Sequence, residues 1–279
     1  ETQLNEPLII NSPDFEPDQE RQSLLLSGII WNEEKNVITE NGINRAIYEH
    51  VFPLYTKLVK YLTDNQFGKL YYLANGLNRI KKHEKLDHEW YKPNVINKYR
   101  EILMQYPIAE AQDNSGYLKL NDCIIVKEAV QENEDKVFNL LKSVYPSKLI
   151  RNNHEWSNYL WKEGLSIWNT ESLCSEIEQK TNWTNISLTG INLTVWYNEF
   201  LGHVLKYNEL FLKEYALLPN MNGELLKRDQ ENFKQGEHVN SFVINLLKSL
   251  GKDVKPLLLH EDITSISLAL LILLAINPV

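Results

Sequence analysis

Residues 106–120 read YPIAEAQDNSGYLKL, and residues 215–227 read YALLPNMNGELLK. In each stretch two short apolar runs flank a polar cluster, which is the pattern of a β-hairpin. The cluster ends at a glycine, which suits such a turn because a positive φ causes it no Cβ clash. The sequence therefore predicts two hairpins, and the predicted structural turn residues are Pro219, Asn220, Asn222, Gly223 and Gly116.

The two hairpins belong to a longer pattern that occurs twice. A helical stretch follows each hairpin and carries Leu-Leu-Lys-Ser, at 140–143 and again at 246–249. The offset between the copies is 109 at the first tyrosine (215 − 106), 107 at the turn glycine (223 − 116) and 106 at the leucine (246 − 140). Such offsets indicate an internal repeat in which both leucines of each copy face inward. The alternative is a coincidence in a chain rich in Leu and Lys.

Apolar residues at three- and four-residue steps predict helices on both sides of the hairpins. The predicted helices cover residues 43–62, 67–77, 95–105, 137–144, 195–214 and 239–250. The predicted fold class is α+β, predominantly helical, with short antiparallel β-hairpins in two repeated strand-turn-strand-helix units. We expect residues 1–42 to be a loop and strand segment that continues an upstream domain. Residues 43–150 and 151–279 are then the first and second helical and hairpin units, the second truncated at its C-terminus.

Length and composition are those of a folded protein. At about 150 residues per domain, 279 residues make one large domain or two medium ones. A hydrophobic fraction of 43% excludes disorder as the main state. The net charge of −8 has the wrong sign for a surface that binds a phosphate backbone, so no nucleic acid is expected as a partner. We expect five tryptophans to fill a helical core, namely Trp156, Trp161, Trp168, Trp183 and Trp196.

The cysteines and the apolar runs bear on the cellular compartment. Cys123 and Cys174 are too few for a disulfide scaffold, so buried thiols and a cytoplasmic location are expected. The longest apolar run has nine residues, at 268–276, against the roughly 20 that a membrane-crossing helix needs. No membrane is therefore expected as a partner. The chain starts at Glu1 with no leader pattern, and we interpret it as a segment of a longer protein.

No motif for catalysis or metal binding stands out. The chain has no G-x-x-x-x-G-K and no G-x-G-x-x-G phosphate-binding loop. It also has no G-x-S-x-G nucleophile elbow. His83 and His88 are five residues apart and miss the four-residue step of the zinc protease motif, so no metal site is expected. The other histidines are expected at the surface or at helix caps, and the acidic run at 132–135 is expected to be solvated. The histidines are His50, His154, His203, His238 and His260.

Two segments resemble a known family. Residues 215–225, YALLPNMNGEL, with the downstream segment 246–259, LLKSLGKDVKPLLL, resemble the LPN-x-x-G segment and following helix of sacsin-type proteins. Residues 9–24 are similar to the loop after the nucleotide domain in the same family and its bacterial relatives. The chain departs from the family at Lys234-Gln235-Gly236-Glu237, where an Asp and a short apolar motif usually follow the hairpin.

The resemblance implies a function that the residues alone do not give. It implies a non-catalytic middle or scaffold region of a large, Hsp90-related chaperone-like protein, contacting an upstream ATPase domain of the same chain and client proteins. This segment would hold no cofactor, whereas ATP and Mg would bind in the longer protein. Arg21 is the position that would contact the γ-phosphate there, and the alternative is a surface arginine paired with Glu16 or Asp18.

Two other classes of function stay open at the level of sequence. One is a stand-alone hydrolase or transferase with a site that no motif reveals. The other is an extracellular, glycan-carrying domain, because Asn182, Asn185 and Asn192 each begin an N-x-S/T sequon.

Overall fold

The computed structural model describes residues 7–10, 12–17, 24–79, 86–228 and 240–265. The helices in these ranges are α1 (Glu40–Asp64), α2 (His88–Tyr91), α3 (Asn97–Gln105), α4 (Gln131–Val144), α5 (Asn153–Tyr159), α6 (Thr170–Glu178), α7 (Leu193–Asn208), α8 (Phe211–Glu214) and α9 (Ser241–Ser249). The strands are β1 (Trp31–Asn32), β2 (Val37–Ile38), β3 (Pro107–Glu110), β4 (Tyr117–Lys119), β5 (Ile124–Val126), β6 (Ser166–Trp168), β7 (Leu218–Pro219) and β8 (Leu225–Leu226).

The strands form small two-stranded sheets. The pairs β1–β2, β3–β4 and β7–β8 are antiparallel hairpins, and β5 pairs with β6. The two predicted hairpins are thus β3–β4 and β7–β8, and each is followed by a helix, α4 or α9. The predicted fold class is confirmed: the protein is α+β and predominantly helical, with short antiparallel hairpins.

The chain divides into two compact units that alternate along the sequence. Unit 1 lies within residues 1–125 and 147–167, and unit 2 within residues 126–146 and 168–279. Helix α4 belongs to unit 2, because its apolar face packs on α6 and α7. The sequence-based division instead places α4 with the first hairpin, in residues 43–150.

Unit 1 is built around α1 and α3. The aromatic rings of Tyr55 on α1 and Tyr99 on α3 meet edge to face, with centroids 4.8 Å apart. The Tyr55 hydroxyl donates to the Leu73 carbonyl at 2.9 Å, so its one polar group is satisfied in the core. Arg100 is also buried, and its guanidinium donates to the Leu77 carbonyl at 2.6 Å while lying over the Trp161 ring.

Unit 2 is built around α4, α6 and α7. Trp196 of α7 is 1% exposed, stacks on Phe200 and donates from its indole N–H to the Leu140 carbonyl of α4 at 3.0 Å. The Tyr197 hydroxyl donates to the Leu217 carbonyl at 2.8 Å, which ties α7 to the residue just before β7. As predicted, Trp156, Trp161, Trp183 and Trp196 are buried, while Trp168 is half-buried.

Two predicted helices and one predicted leucine pair differ from the structure. Residues 67–77 hold only a 3₁₀ turn (Leu70–Ala74), because Lys69 takes a left-handed φ of 61° that no α-helix accepts. The predicted helix 195–214 is divided into α7 and α8. The prediction that both leucines face inward is confirmed for α4. In α9, however, Leu246 is 47% exposed and Ile244 is the buried residue.

Candidate functional site

The predicted turn residues of the second hairpin form a network around Asn220. The Asn220 side chain is completely buried, and its Oδ1 accepts hydrogen bonds from the backbone N–H of Asn222 at 2.9 Å and of Glu224 at 3.0 Å. Its Nδ2 donates to the Glu224 carboxylate at 2.9 Å and to the Pro256 carbonyl at 3.4 Å. Both ends of the amide are therefore satisfied within the protein, so Asn220 organises the turn.

Gly223 has the positive φ that the turn requires, 83°. A Cβ at this position would lie 2.9 Å from Oδ1 of Asn182 and 3.2 Å from Cδ1 of Trp183. The Gly223 carbonyl accepts from the Trp183 N–H at 3.0 Å, so the segment at 182–183 is fixed against the turn. Gly116 in the first hairpin also has a positive φ, 141°, but a Cβ there would meet open space.

A returning segment, residues 148–151, lies along the first hairpin. The Gln112 N–H donates to the Leu149 carbonyl at 2.8 Å, and the Arg151 N–H donates to the Glu110 carbonyl at 2.7 Å. An isolated antiparallel bridge joins Ala111 to Ile150 between these two bonds.

The second hairpin has the same arrangement with residues 258–260. The Met221 N–H donates to the Leu258 carbonyl at 2.9 Å, and the His260 N–H donates to the Pro219 carbonyl at 2.9 Å, with a bridge from Asn220 to Leu259. Every residue in this set is 109 positions after its counterpart, as in 221 − 112 and 258 − 149. The internal repeat therefore extends to the backbone hydrogen bonds around each hairpin.

Among the described residues, a partly buried polar cluster in unit 2 is the arrangement closest to a catalytic one. Oε1 of Glu128 accepts from the backbone N–H of Thr170 at 2.6 Å and from its hydroxyl at 2.5 Å. The Thr170 Oγ1 lies 3.0 Å from Nε2 of His203, and the Tyr207 hydroxyl donates to Oε2 of Glu128 at 3.2 Å. Burial lowers the pKa of His203 below its ordinary value.

The order of hydrogen bonds in this cluster suits a helix cap. A threonine nucleophile must give its proton to the imidazole, and a carboxylate must orient that imidazole. Here the Thr170 proton goes to Glu128, so Nε2 of His203 is the donor to Thr170. Thr170 is fully buried at the start of α6, where the Glu128 carboxylate complements the positive end of the helix dipole.

The sequence did not predict this cluster, and two expectations were wrong there. His203 is buried, not at the surface, and Glu134 of the acidic run is 5% exposed, where its carboxylate accepts from the Glu128 N–H at 3.4 Å. Glu134 lies three residues before Val137 on α4, and Glu128 lies just before that helix. The three-residue step of Glu134, Val137 and Leu140 is the one signal available in the sequence.

The remaining candidate residues fall into three groups. Arg21 lies outside the described residues, as do the departure at 234–237 and the apolar run at 268–276. Cys123 and Cys174 are buried, as predicted, and burial raises the pKa of each thiol to about 12. The three sequon asparagines have local roles, of which the clearest is Asn192, whose Oδ1 accepts from Thr194 N–H at the start of α7.

The hairpin β1–β2, which the sequence did not predict, exposes a cluster of large apolar side chains. We call it the apolar hairpin, and its exposed residues are Ile29 (73%), Ile30 (49%), Trp31 (47%), Val37 (48%) and Ile38 (44%). Thr39 fixes it to α1, because the Thr39 N–H donates to the Ile30 carbonyl at 3.1 Å and its hydroxyl donates to the Ile29 carbonyl at 2.5 Å. Gly42 leaves room for this approach, since a Cβ there would lie 2.4 Å from the Ile30 carbonyl oxygen.

Within the described ranges, no three His, Cys, Asp or Glu side chains converge as a metal site. None of the helices described there has the length and apolar character to cross a membrane. Comparison of the chain with protein-family models, with curated proteins and with solved structures finds no match.

Proposed function

We propose that this chain is a scaffold region that makes protein contacts within a larger sacsin-like, Hsp90-related protein and performs no catalytic step itself. The observation that carries the proposal is the apolar hairpin. Isolated exposed apolar residues are common on proteins, but a contiguous group of five marks a surface that another protein covers.

The fixed geometry of the apolar hairpin supports the same conclusion. The bonds of Thr39 and the close approach of Gly42 hold β1–β2 on the start of α1, while the five large apolar side chains stay 44% to 73% exposed. A surface that is already ordered loses little entropy when a partner docks. The occupant that we propose is the upstream ATPase domain of the same chain, in line with the sacsin resemblance, with client proteins as a further class of partner.

We also propose a cytoplasmic location. Cys123 and Cys174 are unpaired and buried, which suits a reducing compartment where thiols are not needed as cross-links. We further propose that Arg21 contacts the γ-phosphate of ATP in the longer protein, where Mg would accompany the nucleotide.

Photo-crosslinking in the full-length protein tests the scaffold proposal. Benzoylphenylalanine replaces Trp31 in the apolar hairpin and, as a matched control, Leu54, which is 64% exposed on α1. We expect position 31 to cross-link to an ATPase domain of the same polypeptide, and position 54 to give little adduct. Equal labelling at both positions, or no protein adduct at position 31, would contradict the proposal. Adducts to unfolded clients alone would show that client proteins, and not the ATPase domain, bind the apolar hairpin.

A further inference from the structure

Helices α4 and α9 share more than the Leu-Leu-Lys-Ser sequence at 140–143 and 246–249. Residues 137–144 read VFNLLKSV and residues 243–250 read VINLLKSL, so six of the eight positions are identical. The first, fourth and fifth positions of each stretch lie on one face of a helix. We call it the VLL face, and it consists of Val137, Leu140 and Leu141 in α4 and of Val243, Leu246 and Leu247 in α9.

In α4 the VLL face is covered by α6 and α7. Val137, Leu140 and Leu141 are all at most 2% exposed, and the Trp196 indole donates to the Leu140 carbonyl at its centre. Ion pairs border the contact. The Lys136 Nζ of α4 lies 3.0 Å from the Glu199 Oε2 of α7. Lys206 of α7 lies 2.6 Å from Glu132 of α4.

In α9 two residues of the same face, Val243 and Leu246, are exposed among the described residues, whereas Leu247 is half-buried. Val243 is 42% exposed and Leu246 47%, and Phe242 and Leu250 extend the apolar area at 70% exposure each. The side of α9 that adjoins Leu247 is anchored, since Ile244, three residues before it, is 3% exposed. The helix is therefore seated on its own unit while it presents an apolar face outward.

The two copies show what kind of structure covers such a face. In both, the chain runs from a hairpin through a helix to a returning segment, with the hydrogen bonds of hairpin and returning segment in the same register. Yet α4 belongs to unit 2, whereas its hairpin and returning segment belong to unit 1. The helix of the first copy is thus part of the core of the next unit, which is how repeat proteins bury a face that one repeat cannot bury alone.

We propose that the VLL face of α9 is the docking surface for a further repeat of the same kind, through a helix pair equivalent to α6 and α7. The part of that pair that lies on the face is an α7-like helix with two aromatic residues four positions apart, like Trp196 and Phe200. A second copy of this chain is a poorer occupant, because its own α6–α7 surface is already covered by its α4. The VLL face of α9 shares no residue with the apolar hairpin, so the two proposals are tested independently.

Binding of an α7 peptide to the whole chain tests the proposal. The probe is a fluorescein-labelled peptide of residues 189–214 that carries Val195→Lys, so that a lactam bridge from this amine to the Glu199 carboxyl group holds it helical. Both positions are exposed in α7. Fluorescence anisotropy is expected to show saturable binding to the chain. Leu246→Glu should weaken it at least about tenfold, and Leu54→Glu, on α1, should leave it unchanged. A peptide with Trp196→Ala and Phe200→Ala should not bind.

Circular dichroism of the peptides and of both chain variants verifies that each is folded as intended. The proposal is overturned if the bridged peptide, shown to be helical, does not bind, or binds the Leu246→Glu variant as well as the unaltered chain. Sedimentation measurements give a further decisive result. If the chain dimerises and Leu246→Glu makes it monomeric, a second copy is the occupant of the face and the proposed repeat is not.

Discussion

Leu140 of α4 and Leu246 of α9 hold the same place in two nearly identical helical stretches, yet Leu140 is 2% exposed and Leu246 is 47% exposed. The same side chain should therefore contribute differently to stability in the two helices. Leu140→Ala leaves a cavity in the core of unit 2 and should lower the free energy of unfolding by about 2 to 5 kcal/mol. Leu246→Ala should lower it by less than about 1 kcal/mol.

Urea denaturation of both variants measures this difference directly. Each substitution removes the same atoms from a helix with the same neighbouring sequence, so helix propensity cancels between them. Equal losses of stability in the two variants would show that the VLL face of α9 is covered within this chain.

The two turn glycines offer a second matched pair. Gly223→Ala must place a Cβ 2.9 Å from Asn182 Oδ1 at a φ of 83°, whereas Gly116→Ala meets only the backbone strain of its φ of 141°. Asn182 cannot withdraw freely, because its Oδ1 accepts from the Thr184 N–H at 2.9 Å. We expect Gly116→Ala to cost about 1 kcal/mol and Gly223→Ala at least about 1 kcal/mol more. Thermal and urea unfolding would contradict this if Gly116→Ala were the more damaging change.

Local chemistry explains which features were predictable from the sequence. The hairpin turns were predicted because Gly116 and Gly223 need a positive φ that few other residues adopt. The apolar hairpin was not, since two-residue strands such as Trp31–Asn32 carry no alternation to detect. The exposure of Leu246 was also unpredictable, because a helical pattern shows which face is apolar but does not reveal whether a partner covers it.

The candidate site was predictable only in part, for a related reason. Asn220 was identified from its turn, and its four side-chain hydrogen bonds reach residues no more than four positions away, apart from Pro256. The cluster of Glu128, Thr170 and His203 brings together residues separated by 42 and 33 positions. Such separations depend on how α6 and α7 pack, and no local pattern encodes them.

Asn220 supports a third prediction, which separates its acceptor from its donor. Asn220→Ala removes the acceptor for the N–H groups of Asn222 and Glu224 in a completely buried position. Leaving these groups unpaired should cost about 2 kcal/mol or more. Asn220→Asp keeps the acceptor but replaces the donor to the Glu224 carboxylate and Pro256 carbonyl with a negative charge. We therefore expect the stability that this variant loses relative to the unaltered chain to shrink as the pH is lowered. A difference in urea midpoint between the two proteins that is the same at pH 4 and at pH 7 would contradict the assignment.

The cysteines give a prediction that needs no variant. Burial raises the pKa of both Cys123 and Cys174 to about 12, so almost no thiolate exists at neutral pH. Ellman's reagent should react with neither thiol in the native protein and with two thiols per chain after unfolding in urea. Rapid reaction of one thiol under native conditions would show that its surroundings open on the time scale of the assay.

His203 should make the free energy of unfolding depend on pH, and the burial of its side chain determines the direction of that dependence. Burial lowers the pKa of His203 in the folded chain, opposed by the charge of Glu128 and reinforced by Lys136 and Lys206. In the unfolded chain the pKa returns to about 6.5, so between the two values the unfolded state binds more protons than the folded state. Stability should therefore fall as the pH drops below about 6.5, and the fall should end near the folded pKa. His203→Gln keeps an N–H donor for Thr170 but does not titrate, so its free energy of unfolding should change less between pH 7.5 and 5.5. An equal change in both proteins, measured by urea denaturation across this range, would assign the acid sensitivity to other groups.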